Sequence, residues 1–256
     1  TYSNCKISVT DDNNSNTSDN LSVSSFTIDI TTPTLSSVTI ASNNSVSTLA
    51  KTGNIITLSI TSAEAIQTPS VSIAGQNATV TGSGTSWSAA YTMTNSNSEG
   101  SVSLNIGFSD LAGNAGSAVD NTTNGSAVEF DKTSPVLQPV DNVTTPTSDN
   151  TSSYTFSSTE AGNISYGGSC SSSTTSATAD NNTITFNALA DGTYSNCKIS
   201  VTDNTSNTSD NLSVSSFTID ITTPTLSSVT IASNNSDNST LAKTGNVITF
   251  SITSLE

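Results

Sequence analysis

The chain has no histidine and no arginine, and its five cations are lysines set far apart, at Lys6, Lys51, Lys132, Lys198 and Lys243. Phosphate backbones are held by clustered Lys and Arg, so nucleic acid is excluded as a partner. Without imidazole the commonest general base is missing, and no Ser or Cys has an evident base beside it, so the chain is read as not an enzyme. No apolar run approaches the roughly 18 residues of a membrane span, and no secretion signal is evident. Large apolar residues are scarce too. At 32% hydrophobic with 14 Gly, the apolar share lies below the roughly 45–50% of an average globular domain. Such a composition can mean disorder, but here the apolar residues alternate too regularly for that. What the chain has in excess is acid: 20 Asp and Glu against five Lys, a net charge of -15, which favours bound cations.

Its two ends are near copies of each other. Thr1–Thr10 recurs as Thr193–Thr202, Leu21–Ile40 recurs unchanged as Leu212–Ile231, and the match continues to Glu64 against Glu256. This is a long-period repeat. A shorter motif punctuates it: Asp29-Ile-Thr-Thr-Pro33, Asp131-Lys-Thr-Ser-Pro135 and Asp220-Ile-Thr-Thr-Pro224. Each follows an alternating stretch that its Pro prevents from continuing as a central strand. The motifs lie 102 and 89 residues apart (131 − 29 and 220 − 131), the size of an immunoglobulin-like module.

Period-two alternation predicts strands near 36–41, 54–61, 70–74, 77–81, 87–93, 101–109 and 126–131. It predicts a second series near 136–140, 153–158, 162–167, 183–188, 194–202 and 212–221. No window places apolar residues at helical spacing. The expected fold is all-β: tandem immunoglobulin-like sandwiches in an elongated array. The expected parts are an incomplete module at 1–32, a first type at 33–132, a second type at 133–222, and an incomplete first type at 223–256. The chain thus reads as a window of a longer array, or as one whose terminal halves are completed by neighbouring copies.

Three cysteines fit that scheme. Cys5 is the repeat equivalent of Cys197, so its partner would lie outside this window, and cysteines come as one pair per repeat. The pair reads as a disulfide in an oxidising compartment, the other reading being buried free thiols. By strand parity Cys170 sides with Ile164 and Tyr166, and Cys197 with Ile199 and Val201, so both should face the core. Closing the 27-residue separation (197 − 170) would stabilise the module by roughly 3–4 kcal/mol. No C-x-x-C spacing suggests redox catalysis. Tyr194 is out of phase with Cys197, which predicts a β-bulge at Ser195-Asn196 and a corner-packing tyrosine. Trp87 and Tyr91 share a strand face and are expected in the core rather than as a sugar platform.

The motifs Leu189-Ala-Asp-Gly-Thr-Tyr194, Ser109-Asp-Leu-Ala-Gly-Asn114 and the Asp-x-Thr-x-Pro junctions resemble those of the tandem bacterial Ig-like domains of giant surface proteins and adhesins. The resemblance implies an extracellular, bacterial cell-surface protein whose domains act as spacers, often stiffened by calcium at their boundaries. The second module departs from the pattern, with Asp203-Asn-Thr-Ser-Asn207 lacking the Gly.

In an Ig-like sandwich the loops after strands B and F face the incoming chain. That would gather a junction Asp, a Glu closing strand B and an Asp closing strand F: Asp29, Glu64 and Asp110, then Asp131, Glu160 and Asp203. Asp220 and Glu256 begin a third set. These are read either as solvated carboxylates and turn formers or as calcium ligands, since converging like charges call for a cation. The functional expectation is a structural repeat, the shaft or spacer of an extracellular surface protein, adhesin or filament. Its expected partners are neighbouring repeats and other copies joined by strand addition. The alternatives are a glycan- or protein-binding adhesive module and an accessory domain of a secreted enzyme.

Overall fold

Ser, Thr, Val and Ile, alternating apolar with hydroxylic, suit a pleated surface with one face buried, and they fold accordingly. The computed structural model describes residues 1–255, and among these there are strands and turns and no helix. No helix is therefore long and apolar enough to cross a membrane. The chain divides into two compact units. One holds residues 1–133 together with Thr205–Asn207, and the other holds residues 134–204 and those from Thr208 on.

In the first unit a four-stranded sheet runs in the order Leu35–Ser42, Ile55–Ser62, Ser86–Thr92, Thr79–Ser83. Two three-stranded sheets accompany it. One pairs Leu104–Gly107 with Ser70–Ile73 and then Gln76–Asn77, and the other pairs Gly100–Ser101 with Glu129–Phe130 and then Leu49–Ala50. Their inward residues meet in one core containing Val38, Ile40, Ile56, Leu58, Ile60, Ile73, Met93, Ile106 and Phe130. Trp87 and Tyr91 are partly buried against it, as expected of core aromatics.

The second unit pairs Leu137–Asp141, Ser153–Ser158 and Asp180–Thr185 in one sheet. A second sheet has the order Ser176–Ala177, Gly162–Gly167, Lys198–Thr202, Leu212–Ser213. Gly192–Tyr194 pairs separately with Phe217–Ile219. Tyr154, Phe156, Ile184, Phe186, Cys197, Ile199, Val201 and Phe217 fill the core. Hydroxyls pair across strands, as in Thr155 with Thr183 at 2.9 Å and Thr193 with Thr218 at 3.0 Å. These pairs give the abundant Ser and Thr partners on the outer face.

Two expectations are corrected. The 101–109 segment keeps Val102, Leu104, Ile106 and Phe108 on its more buried side but breaks at Val102-Ser103, where the chain passes from one sheet to another. Likewise the 194–202 segment carries no bulge within one strand. Tyr194 ends a strand paired to Phe217, Lys198 begins one paired to Gly167, and the intervening residues switch sheets. That switch absorbs the phase difference between Tyr194 and Cys197.

Two segments keep strand pairing without burial. Lys6–Ile7 pairs with Leu21–Ser22 while Ile7, Val9, Val23, Phe26 and Ile28 remain exposed, and the hairpin of Thr225–Ser233 with Ile248–Leu255 also leaves its apolar residues exposed.

Candidate functional site

The three junction motifs adopt one local structure. The Asp29 Oδ1 accepts the Thr31 N–H at 2.9 Å, Asp131 Oδ1 that of Thr133 at 2.9 Å, and Asp220 Oδ1 that of Thr222 at 3.2 Å. Each is an Asx turn leading to the Pro two residues further on. Two junctions are also clamped by an acid from the preceding strands. Glu99 Oε1 takes the Lys132 N–H at 3.0 Å and the Thr133 hydroxyl at 2.6 Å. Asp191 takes the Ile221 N–H on Oδ1 at 2.6 Å and the Thr222 hydroxyl on Oδ2 at 2.7 Å. The Thr133 hydroxyl foremost, then the Lys132 N–H, holds the Glu99 carboxyl below its ordinary range, and the Ile221 N–H foremost does so for Asp191.

Sequence reasoning did not single out either clamp. The available signal was an acid before a glycine that opens a strand, Glu99-Gly100 and Asp191-Gly192, both glycines having positive φ (104° and 145°).

Asp29, Glu64 and Asp110 are brought together, with carboxylate oxygens within 4.8 Å of one another. Asp110 follows the strand Leu104–Gly107, bridges to Ile66, and is only 1% exposed. Its burial is matched by donors: Oδ1 takes the N–H groups of Gly113 at 2.6 Å and Asn114 at 2.8 Å, and Oδ2 takes the Asn114 side-chain amide at 2.7 Å. That amide is the leading cause holding the Asp110 carboxyl below its usual range; the loop N–H groups add to it and desolvation opposes it. Asn114 also donates to the Asp29 carbonyl at 3.1 Å, tying loop to junction. Ser62 donates its hydroxyl to the Glu64 carbonyl, as Ser158 does to that of Glu160.

This donor set fits a hard cation. Three carboxylates supply oxygen, the atom type Ca²⁺ takes, and the amide bonds to Asp110 resemble the outer-shell contacts that orient metal ligands. One Oδ2 lone pair of Asp110 is left over by the three hydrogen bonds described.

Of the second set, Glu160 and Asp203 lie in the second unit, with carboxylate oxygens within 4.8 Å of each other, and Asp203 is buried. Asp131 belongs to the first unit. There its carbonyl accepts the Asn207 amide at 3.1 Å and its Oδ2 the Thr205 hydroxyl at 3.2 Å, so Asn207 stands to Asp131 as Asn114 stands to Asp29. The missing glycine is replaced in kind: Ser206 takes φ 74° where Gly113 takes 99°, and Ser15 takes 56° in the N-terminal copy. Glu256 lies outside the described residues.

Cys170 and Cys197 form a disulfide, with Cα atoms 5.2 Å apart and both residues buried. Gly168 makes this possible. At φ 77° it turns the chain toward Cys170, and a Cβ there would strike the Asn196 carbonyl. Cys5 has no disulfide partner among the described residues and is half-buried. Tyr194 packs at a corner, its hydroxyl donating to the Ala190 carbonyl at 3.0 Å and its ring stacking on Phe217 with centroids 5.4 Å apart.

No protein-family model matches the chain, and a search of curated proteins finds no match.

Proposed function

We propose that the chain is part of the shaft of a bacterial extracellular surface protein, adhesin or filament, in which Ig-like modules serve as spacers and carry out no catalysis. One observation carries this reading: the Asp-x-Thr-x-Pro junction adopts the same Asx turn three times, and in two of them an acid of the module that the linker leaves grips it through a backbone N–H and a hydroxyl. A linker held this way is anchored to the module it leaves. The disulfide supports an oxidising, extracellular setting. Neighbouring repeats are the natural partners, with other copies joined by strand addition. Calcium at Asp29, Glu64 and Asp110 would relieve the repulsion among three converging carboxylates and stiffen the first junction.

Small-angle scattering tests the spacer reading. A compact globule of 256 residues has a radius of gyration of about 18 Å. An extended spacer exceeds that clearly, and a value near it overturns the proposal. Calcium is tested separately: adding chelator lowers the melting temperature if the site is occupied, and an unchanged melting curve removes calcium from the reading.

A further inference from the structure

The hairpin of Thr225–Ser233 and Ile248–Leu255 repeats that of Leu35–Ser42 and Ile55–Ser62, down to the register shift after Leu226 and its equivalent Leu35. Its Val229, Ile231, Ile248, Phe250 and Ile252 are 50–70% exposed, whereas the equivalent Val38, Ile40, Ile56, Leu58 and Ile60 are at most 6% exposed. Among these five pairs only Leu58 and Phe250 differ. The contrast therefore comes from what covers the face, and in the covered copy that is residues 66–130.

Three contacts define the cover. The strand Ser86–Thr92 pairs along the outer edge of Ile55–Ser62, with Tyr91 opposite Ile56, Ala89 opposite Leu58 and Trp87 opposite Ile60. On the other edge, the hydroxyls of Thr123 and Ser126 accept the N–H groups of Val38 and Ile40, each at 3.0 Å. Finally, Glu129–Phe130 runs parallel to Leu49–Ala50, setting Phe130 opposite Ala50. The exposed hairpin keeps the receiving half of this arrangement. A groove of about 230 Å³ is lined by Leu241 together with Ile231, Ala242 and Ile248; the equivalents of the last three, Ile40, Ala50 and Ile56, share one core with Phe130.

We infer that this face is a docking surface for a polypeptide segment with the strand pattern of residues 66–130, its Phe130 equivalent seated in the groove and its Trp87 equivalent opposite Ile252. The inference deepens the partner proposed above and rests on that reading only for where the segment comes from.

The test uses the full chain carrying Trp87→Phe as acceptor and an expressed fragment of residues 65–131 as probe, so that the fragment holds the only tryptophan. Saturable one-to-one binding with a blue-shifted tryptophan emission is expected. Phe130→Ala in the fragment, which removes the anchor, should weaken binding at least about tenfold. Ile231→Asp in the acceptor should abolish it while leaving the acceptor's melting temperature unchanged, and Ile231→Val should retain it. Absence of binding overturns the inference. So does binding indifferent to Ile231→Asp, which would mean exchange into the covered copy, and so does self-association of the chain through this face that excludes the fragment. None of these results bears on the scattering test, so the spacer reading stands or falls separately.

Discussion

Residues 34–62 and 225–254 are nearly one sequence in two settings, and they separate two kinds of information. Pairing is local: both hairpins have the same register, with Val38 opposite Ile60 and Val229 opposite Ile252, and both shift register at the same place. Burial is not local, because the same apolar face is core in one copy and surface in the other. The disulfide region repeats the lesson. Val201 and Val9 each donate the backbone N–H to a serine hydroxyl oxygen, that of Ser209 and of Ser18, yet Val201 is buried and Val9 exposed.

The sharpest way to break the comparison is to place a charge on each face. Leu58→Asp puts an unpaired carboxylate in the first unit's core and should cost more than about 4 kcal/mol, whereas Phe250→Asp should stay within about 0.5 kcal/mol. Urea denaturation of both variants measures the gap. Equal effects would mean that the hairpin face is covered in solution.

The cysteines come next. Cys197→Ala removes the cross-link and should cost about 2–5 kcal/mol, while Cys5→Ala should fall within about 0.5 kcal/mol. Reductant should bring the parent's denaturation midpoint toward that of Cys197→Ala and leave the variant itself unmoved.

A third contrast lies in pH. Asp110 is depressed in the folded state from 3.8. Its stabilising contribution is therefore fully present above that value and is lost as pH falls below it, through the folded pKa. Asp110→Asn should flatten this part of the acid limb in a melting-temperature series across acid pH. An unchanged limb would mean that the Asn114 and Gly113 bonds do not favour the ionised form.

The smallest effect concerns the two loops. Ser206 holds the left-handed conformation that Gly113 adopts freely, so Ser206→Gly should stabilise by up to about 1 kcal/mol and Gly113→Ser should destabilise by a similar amount. Paired thermal melts decide it.

How far the sequence could be read follows from the same division between local and non-local. Strand positions were legible wherever alternation ran for several residues, as at 55–62 and 153–158. Two-residue strands such as Leu49–Ala50 and Ser176–Ala177 are too short to show a period and went unpredicted. Alternation also says nothing about which sheet receives a strand, so the phase break at Tyr194 predicts a bulge where the structure has a switch of sheets. The carboxylates at 29, 64 and 110 could be read because the repeat marked the same acids again. Asn114, Asn207, Glu99 and Asp191 were missed because in so polar a chain an asparagine or an acid announces nothing by itself. Their roles come from folding, which sets an amide or carboxylate against a particular backbone group.

The grip of Glu99 and Asp191 on the linker that leaves their own strands has a consequence for how such a chain can lengthen. The direction in which the polypeptide departs is set by residues already inside the duplicated block. A gene that gained another block would gain its outlet in the same event, and so the chain can lengthen by simple changes in copy number.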